Sequence, residues 1–412
     1  MQKNRIINRI IKHKWILLIL VLTLCLRLFR FDYPNTYVFD EVYHGFTAKE
    51  YAKNEIKAWE WWNTPPPGVA YEWTHPPLAK EIMAASLLLF NTEDPWAWRL
   101  PGILFGVLSV YLVYLITQKI LKKESISLVA AFIFSLDGLL FVQSRTGMND
   151  IYVVTFMLAS LLLLLNKRFF ISALLLGCAL ASKWSAVYLF SIIFIIILYQ
   201  KQYIKFLYFV SIPPIVYLAS YIPFFLLGHT LTEFKGLQQQ MWWYHSGLVA
   251  THDYASPWWS WPFNFYPVWY YVDYQGEKIA NIFASGNPML FWFGFMGVVM
   301  TTYDAIKERS AKLSLIVLAY LAFLLPWALS PRIMFLYHYS PSIPFMCMAL
   351  AFQLSKFNQT KQDRIFLVII LTIIVLSFAL IYPFLTGIPL EKYQVSLFFK
   401  TNITKNPFGP LE

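Results

Sequence analysis

Apolar runs close to 20 residues long recur from one end of this chain to the other, and they leave few folds open. A run of that length crosses the hydrocarbon core of a bilayer as a helix, which satisfies its own backbone hydrogen bonds. Barrel strands are much shorter. Of the 412 residues, 58% are hydrophobic and 13% charged. Soluble domains carry about 25% charged residues. The sequence therefore predicts an all-α polytopic membrane protein, with residues 1–412 forming one transmembrane domain. The first run, Ile16 to Phe31, is long and no small-residue cleavage site follows it, so it is expected to stay as an anchor.

Basic clusters between the runs set the expected orientation. Lys3, Arg5, Arg9, Lys12 and Lys14 place the N-terminus in the cytoplasm. Lys119, Lys122 and Lys123 follow the run Leu100 to Ile120 and should share that side. Leu78 to Phe90 contains Lys80 and Glu81 and is too short to span comfortably, so it reads as an interfacial helix on the outer side. Residues 32–98 then form a first external loop. Further helices are expected near 100–120, 126–142, 150–165, 169–183, 184–199, 203–227, 288–305, 311–329, 332–353 and 364–387. With the first run this makes about 11 spans, with the C-terminus outside. The run 169–199 is split at Ser182-Lys183-Trp184, because it is too long for one span without strong tilt. Residues 228–287 form a large aromatic-rich external loop. The formal charge of +11 is accounted for by the orienting clusters and does not call for nucleic acid.

This topology gathers unusual polar residues on one face. Asp40 and Glu41 leave the first helix together, close to the lipid boundary, where charge is costly unless a site uses or neutralises it. Tyr71 to Lys80, with His75, lies on the same side. So do Gln143 to Asp150, with Arg145, then Lys183, then Ser330-Pro331-Arg332 and Phe335 to Tyr339, with His338. Each has a plain explanation: a solvated acidic pair, snorkelling arginines, a packed histidine. A carboxylate pair, three cations and two histidines on one side carry more weight together. Cations beside a membrane cleft suit a phosphate, and a carboxylate can take the proton of an attacking hydroxyl. The set fits transfer of a sugar from a lipid phosphate to an alcohol. No glycine-rich phosphate loop points to a soluble nucleotide sugar. Cys25, Cys178 and Cys347 lie in apolar runs and fit neither a disulfide framework nor a metal site. His245, His252 and Asp253 share the large loop without clear ligand spacing, so no metal is expected.

The ordered motifs resemble those of the protein O-mannosyltransferases, membrane enzymes of the GT-C glycosyltransferase class. Phe39 to His44 resembles the family's Asp-Glu motif. His75-Pro76-Pro77-Leu78-Ala79-Lys80 resembles its His-Pro-Pro-Leu-Gly-Lys, with Ala79 in place of glycine. Gln143 to Asp150, Ser182-Lys183-Trp184, His252 to Pro262, Gly286-Asn287-Pro288 and Phe335 to Tyr339 resemble further segments. The resemblance implies a GT-C fold, a polyprenyl-phosphate-mannose donor, a Ser or Thr acceptor on an exported protein, and inversion at the anomeric carbon. It implies Asp40 as general base and Glu41 as a group positioning the acceptor. It implies Arg145, Asp150, Lys183, Arg332 and His338 at the donor, and His75 and Lys80 in support of the acceptor loop. No cofactor is called for, the lipid-linked sugar being a substrate. A prokaryotic plasma-membrane enzyme is expected, since the large loop is too short for the β-trefoil MIR domain of eukaryotic members. The secretion translocon and a second copy of the chain are partners to test. A GT-C enzyme with a lipid or glycan acceptor is the alternative within the class, and a transporter or flippase the alternative outside it.

Overall fold

The computed structural model describes residues 14–357 and 359–398. The expected basic cluster Lys3 to Lys12 and the expected outer C-terminus lie outside the described residues. The chain is mostly helical, and helices occupy all the apolar segments named above. Among the described residues, four are long and apolar enough to cross a membrane: Pro95–Leu121, Pro288–Lys307, Ala311–Leu329 and Lys361–Thr386. A fifth forms if the bent pair Glu124–Ser135 and Gly138–Arg145 is one span. Length and composition single out four or five spans among the described residues; the other apolar helices are shorter or broken, and the expected number of about 11 is not reached by that measure.

The breaks have local causes. The expected helix 126–142 bends by 61° where Asp137 caps the Gly138–Arg145 helix, accepting from the Leu139 and Leu140 amides. The cap satisfies orphan amides inside the protein, where no water reaches them. The segment 203–227 divides into Phe206–Ala219 and Ile222–Leu226, with Pro223 in the first turn of the second piece. The split in 169–199 falls as expected: the helix Phe169–Leu180 ends, Lys183 is extended, and a 3-10 turn begins at Trp184. The segment expected as one helix over 332–353 instead opens on a non-helical stretch, then a 3-10 turn Leu336–Ser342 and the helix Ile343–Leu354.

Within residues 32–98 a helix forms at the expected bounds, Leu78–Phe90. The large loop is not all loop. It contains a helix, Leu231–Ser246, and a hairpin of strands Val268–Gln275 and Lys278–Ala284. The hairpin turn needs a left-handed residue, and Gly276 supplies it at φ +64°. Leu390–Glu391 adds a short third strand, antiparallel to the second. This small sheet is added to a chain that is otherwise mostly helical, as expected. A register shift between Trp269 and Tyr271 leaves Tyr270 bulged, and its ring stacks on Phe39 at 4.3 Å. Bulges re-aim side chains in this way beside functional sites.

Close helix approach fixes the floor under the site. A Cβ at Gly102 would stand 2.7 Å from the Ser144 carbonyl, and one at Gly106 would stand 2.8 Å from the Ser144 side chain. Small residues at such crossings bring membrane helices into contact. Lys361–Thr386 lies at the rim, with 11% of its apolar window buried, so most of its surface is left for lipid.

Candidate active site

Asp40 and Glu41 are neighbours in one 3-10 turn, Phe39–Val42, yet they meet different surroundings. Phe39 has φ +48°, a region a bulky side chain rarely adopts. Strain of this kind persists where neighbours hold it, and here the Tyr270 ring does.

Glu41 is fully buried, 0% exposed, and its oxygens are engaged. Arg99 grips it twice, Nε to Oε1 at 2.8 Å and Nη2 to Oε2 at 2.6 Å. The Trp98 indole donates at 3.0 Å, the Gly147 amide at 2.8 Å and the Val38 amide at 2.9 Å. Arg99 also donates to the carbonyls of Pro34 and Thr36. The sequence reading expected Glu41 to position the acceptor; its side chain is instead enclosed by protein donors. It ties the turn to the helix Pro95–Leu121.

Arg145 is a second correction. Its guanidinium donates to three backbone carbonyls, those of Arg27 at 3.0 Å, Leu385 at 2.8 Å and Phe29 at 2.5 Å. It staples the end of the first helix to the end of the last long one, with each of its three nitrogens already committed to a carbonyl. Arg27 lies alongside, donating to the Ser144 hydroxyl at 2.9 Å. Asp150, expected to orient Arg145 or the sugar, pairs instead with Lys183 at 2.9 Å.

Asp40 is the open member of the pair. It is half-buried, and its carboxylate makes no hydrogen bond or ion pair among the described residues. Burial, then Glu72, pushes its pKa up to about 7; Lys183 opposes and Asp150 adds to the rise. Around it stand Lys183, whose Nζ lies 5.6 Å from the Tyr337 ring centre, and Tyr337 itself, whose phenol is held well above its ordinary pKa by burial and then by Asp40.

Glu72 organises the next layer. Its Oε1 accepts from the Thr74 hydroxyl at 2.6 Å and the His75 amide at 2.9 Å, and its Oε2 lies 3.3 Å from His44 Nδ1. Burial opposes its charge, but Lys80, His44 and these hydrogen bonds hold its pKa below the usual value. Lys80 donates to the carbonyls of Glu72 and His75, at 2.8 and 2.9 Å, so it braces the loop from beneath. The rings of His44, His75 and His245 form a ladder, 6.2 and 5.0 Å between successive centres. Burial holds all three below the ordinary histidine pKa, His44 and His245 at about 4. His338 packs between Trp327 and Trp261 at the edge of this group. Arg332 lies over the Tyr244 ring at 4.8 Å and donates to His245. His252 goes elsewhere, accepting from the Tyr254 amide and packing on Phe335.

The structure thus couples Asp40, His75, Asp150, Lys183, Arg332 and His338 in one electrostatic cluster, and turns Glu41, Arg145 and Lys80 to structural work. Sequence reading missed Arg99, Trp98, Glu72 and His44 as members of this centre. Arg99 had a signal: a cation in the first turn of a long apolar run needs a buried partner.

Two family models cover nearly all of the chain. The "Dolichyl-phosphate-mannose-protein mannosyltransferase" model matches residues 17–231, and the "C-terminal four TMM region of protein-O-mannosyltransferase" model matches residues 230–400. A polyprenol-phosphate-mannose–protein mannosyltransferase of Mycolicibacterium smegmatis is 24% identical over 409 residues, covering 77% of this chain and 79% of that one. The fold is similar to the Saccharomyces cerevisiae protein O-mannosyltransferase Pmt1-Pmt2 complex bound to the sugar donor, with TM-score 0.79, 14% identity, and 94% and 92% of the two chains covered. ArnT from Cupriavidus metallidurans bound to undecaprenyl phosphate is similar at TM-score 0.63 and 14% identity, over 88% of this chain and 64% of that one. The fold is that of the GT-C glycosyltransferases. With the two models together spanning residues 17–400, the chain belongs to the dolichyl-phosphate-mannose-protein mannosyltransferase family.

Proposed function

We propose that this chain transfers mannose from a polyprenyl-phosphate-mannose donor to Ser or Thr hydroxyls of exported proteins, with inversion, on the outer face of a prokaryotic plasma membrane. The observation that carries the reading is the unpartnered Asp40 carboxylate near the Lys183–Asp150 ion pair. A carboxylate with a pKa of about 7 is poised to take a proton at neutral pH. Asp40 would remove the acceptor hydroxyl proton as the oxygen attacks the anomeric carbon. The carbon–oxygen bond to phosphate breaks from the opposite face, and its electron pair leaves with the polyprenyl phosphate. Lys183 and Arg332 would stabilise that growing negative charge, as fixed cations in a low-dielectric site do. Asp150 keeps Lys183 in place. The exposed aromatic side chains of the outer loops, Tyr43 and Trp243 among them, offer faces for the sugar or the acceptor. Exported acceptors would meet this site as they leave a secretion translocon.

The test is a purified preparation given polyprenyl-phosphate-mannose, a Ser/Thr peptide and a lipid acceptor side by side. Mass spectrometry should find a hexose on the peptide alone, and NMR should find the inverted anomer. A product on the lipid, or vesicle transport without any glycosidic product, would replace this reading.

A further inference from the structure

We infer that His245 is a positioning residue for the donor phosphate: its imidazole, locked in one tautomer, holds Arg332 at the pocket. The inference rests on the reading of Arg332 as a phosphate-facing cation in the reaction above.

The tautomer follows from the partners. His245 Nε2 lies 2.7 Å from the Thr74 carbonyl oxygen, which can only accept, so Nε2 carries the hydrogen. His245 Nδ1 lies 2.5 Å from Arg332 Nη1, which can only donate, so Nδ1 offers its lone pair. One neutral form satisfies both contacts, and no other does. A protonated ring would set an N–H against a guanidinium. Burial first, and the nearby Arg332 and Lys183 charges after it, favour the neutral ring. The His75 ring at 5.0 Å and the Trp184 ring at 5.6 Å fix the imidazole plane.

Arg332 needs such a hold. It lies in the non-helical stretch before the Leu336–Ser342 turn, so no helix sets its direction. Two consecutive residues near the end of the helix Leu231–Ser246 do this instead: Tyr244 lies under the guanidinium face and His245 takes its edge. What remains is informative. Arg332 Nε is buried and has no hydrogen-bond partner. A buried unpaired N–H of a guanidinium is costly, and an anion would satisfy it. The hold also reaches the base side of the pocket, because the Thr74 hydroxyl donates to Glu72, which raises the Asp40 pKa.

The experiment uses the full-length detergent-purified protein and two readouts, steady-state transfer and binding of polyprenyl phosphate without turnover. His245→Ala should raise the donor KM and weaken polyprenyl-phosphate binding by about tenfold, the worth of aiming one charge-assisted hydrogen bond. kcat should fall as well, because Arg332 meets charge that grows in the transition state, while the peptide KM should stay within about twofold. His245→Asn keeps an acceptor for Arg332 and a donor for Thr74, and should recover most of the donor KM. In an Arg332→Ala background, His245→Ala should add nothing further. A loss of kcat at unchanged donor KM, or a full additional loss in the Arg332→Ala background, would overturn the assignment. If His245→Ala misfolds, the His245→Asn donor KM decides: a value near wild type supports the hold, and one raised as far as in Arg332→Ala refutes it. Wild-type protein that neither binds polyprenyl phosphate nor transfers mannose would instead overturn the functional reading beneath it.

Discussion

Two polar regions lie side by side in this bundle, and they are built on opposite terms. One is Glu41 with Arg99, and Arg145 close by; both Glu41 oxygens and each guanidinium nitrogen of these two arginines meet a protein partner. The other holds Asp40, Lys183, Arg332 and the histidine ladder, where a carboxylate and a guanidinium N–H are left open. The residue types are alike, and Asp40 and Glu41 are consecutive. What separates structure from chemistry is therefore saturation. A buried charge with its hydrogen bonds complete is a rivet, and a charge left incomplete next to it is available to a substrate.

The contrast is broken most sharply by two substitutions one residue apart. Asp40→Asn should cost about 10²–10⁴-fold in transfer, the usual worth of a general base, while the protein stays folded. The stability sign is opposite to that of a paired carboxylate. The raised pKa means the folded state holds a proton that the unfolded chain releases, so Asp40 weakens the fold as pH rises from about 4 to about 7. Melting of Asp40→Asn at pH 8 should match or exceed wild type; a large drop would place Asp40 among the rivets. Arg99→Ala leaves Glu41 charged and unpaired in the interior, which costs about 3–5 kcal/mol. Detergent melting and yield should fall accordingly, and a normally stable variant would undo the comparison from the other side.

Smaller effects sharpen it. Arg145→Lys cannot reach three carbonyls at once, and should destabilise by about 1–3 kcal/mol with no change in donor KM in the folded fraction. A raised donor KM at full stability would return Arg145 to the phosphate. Transfer should rise with pH through about 7, as Asp40 loses its proton. Glu72→Gln removes a neighbouring negative charge, so the rising limb of the pH profile should move to lower pH. An unmoved limb would mean that another group titrates.

The sequence already contained the outline of this picture, because apolar run length and charged clusters are local signals. Leu78–Phe90 and the break at Lys183 could be read from single windows. The pocket members could be read as far as their side of the bundle, since Asp40, Lys183 and Arg332 fall at ends of apolar runs. Saturation was not legible. Whether Glu41 or Asp40 stays open depends on Arg99, Trp98 and Gly147, which approach from far along the chain. Arg145 looked like a phosphate ligand because nothing local shows that its partners are carbonyls from the first and last long helices. The hairpin was missed because Tyr, Trp and Phe read equally as interfacial aromatics and as strand formers.

The ring of Tyr270 against Phe39 has a consequence for how such a chain can be divided. The two family models meet near residue 230, the turn bearing the proposed base Asp40 belongs to the first, and the aromatic ring stacked on that turn belongs to the second. Neither half owns the reaction. On the proposed reading the site is assembled at a seam, and an isolated half would carry Asp40 without the ring that packs against its turn.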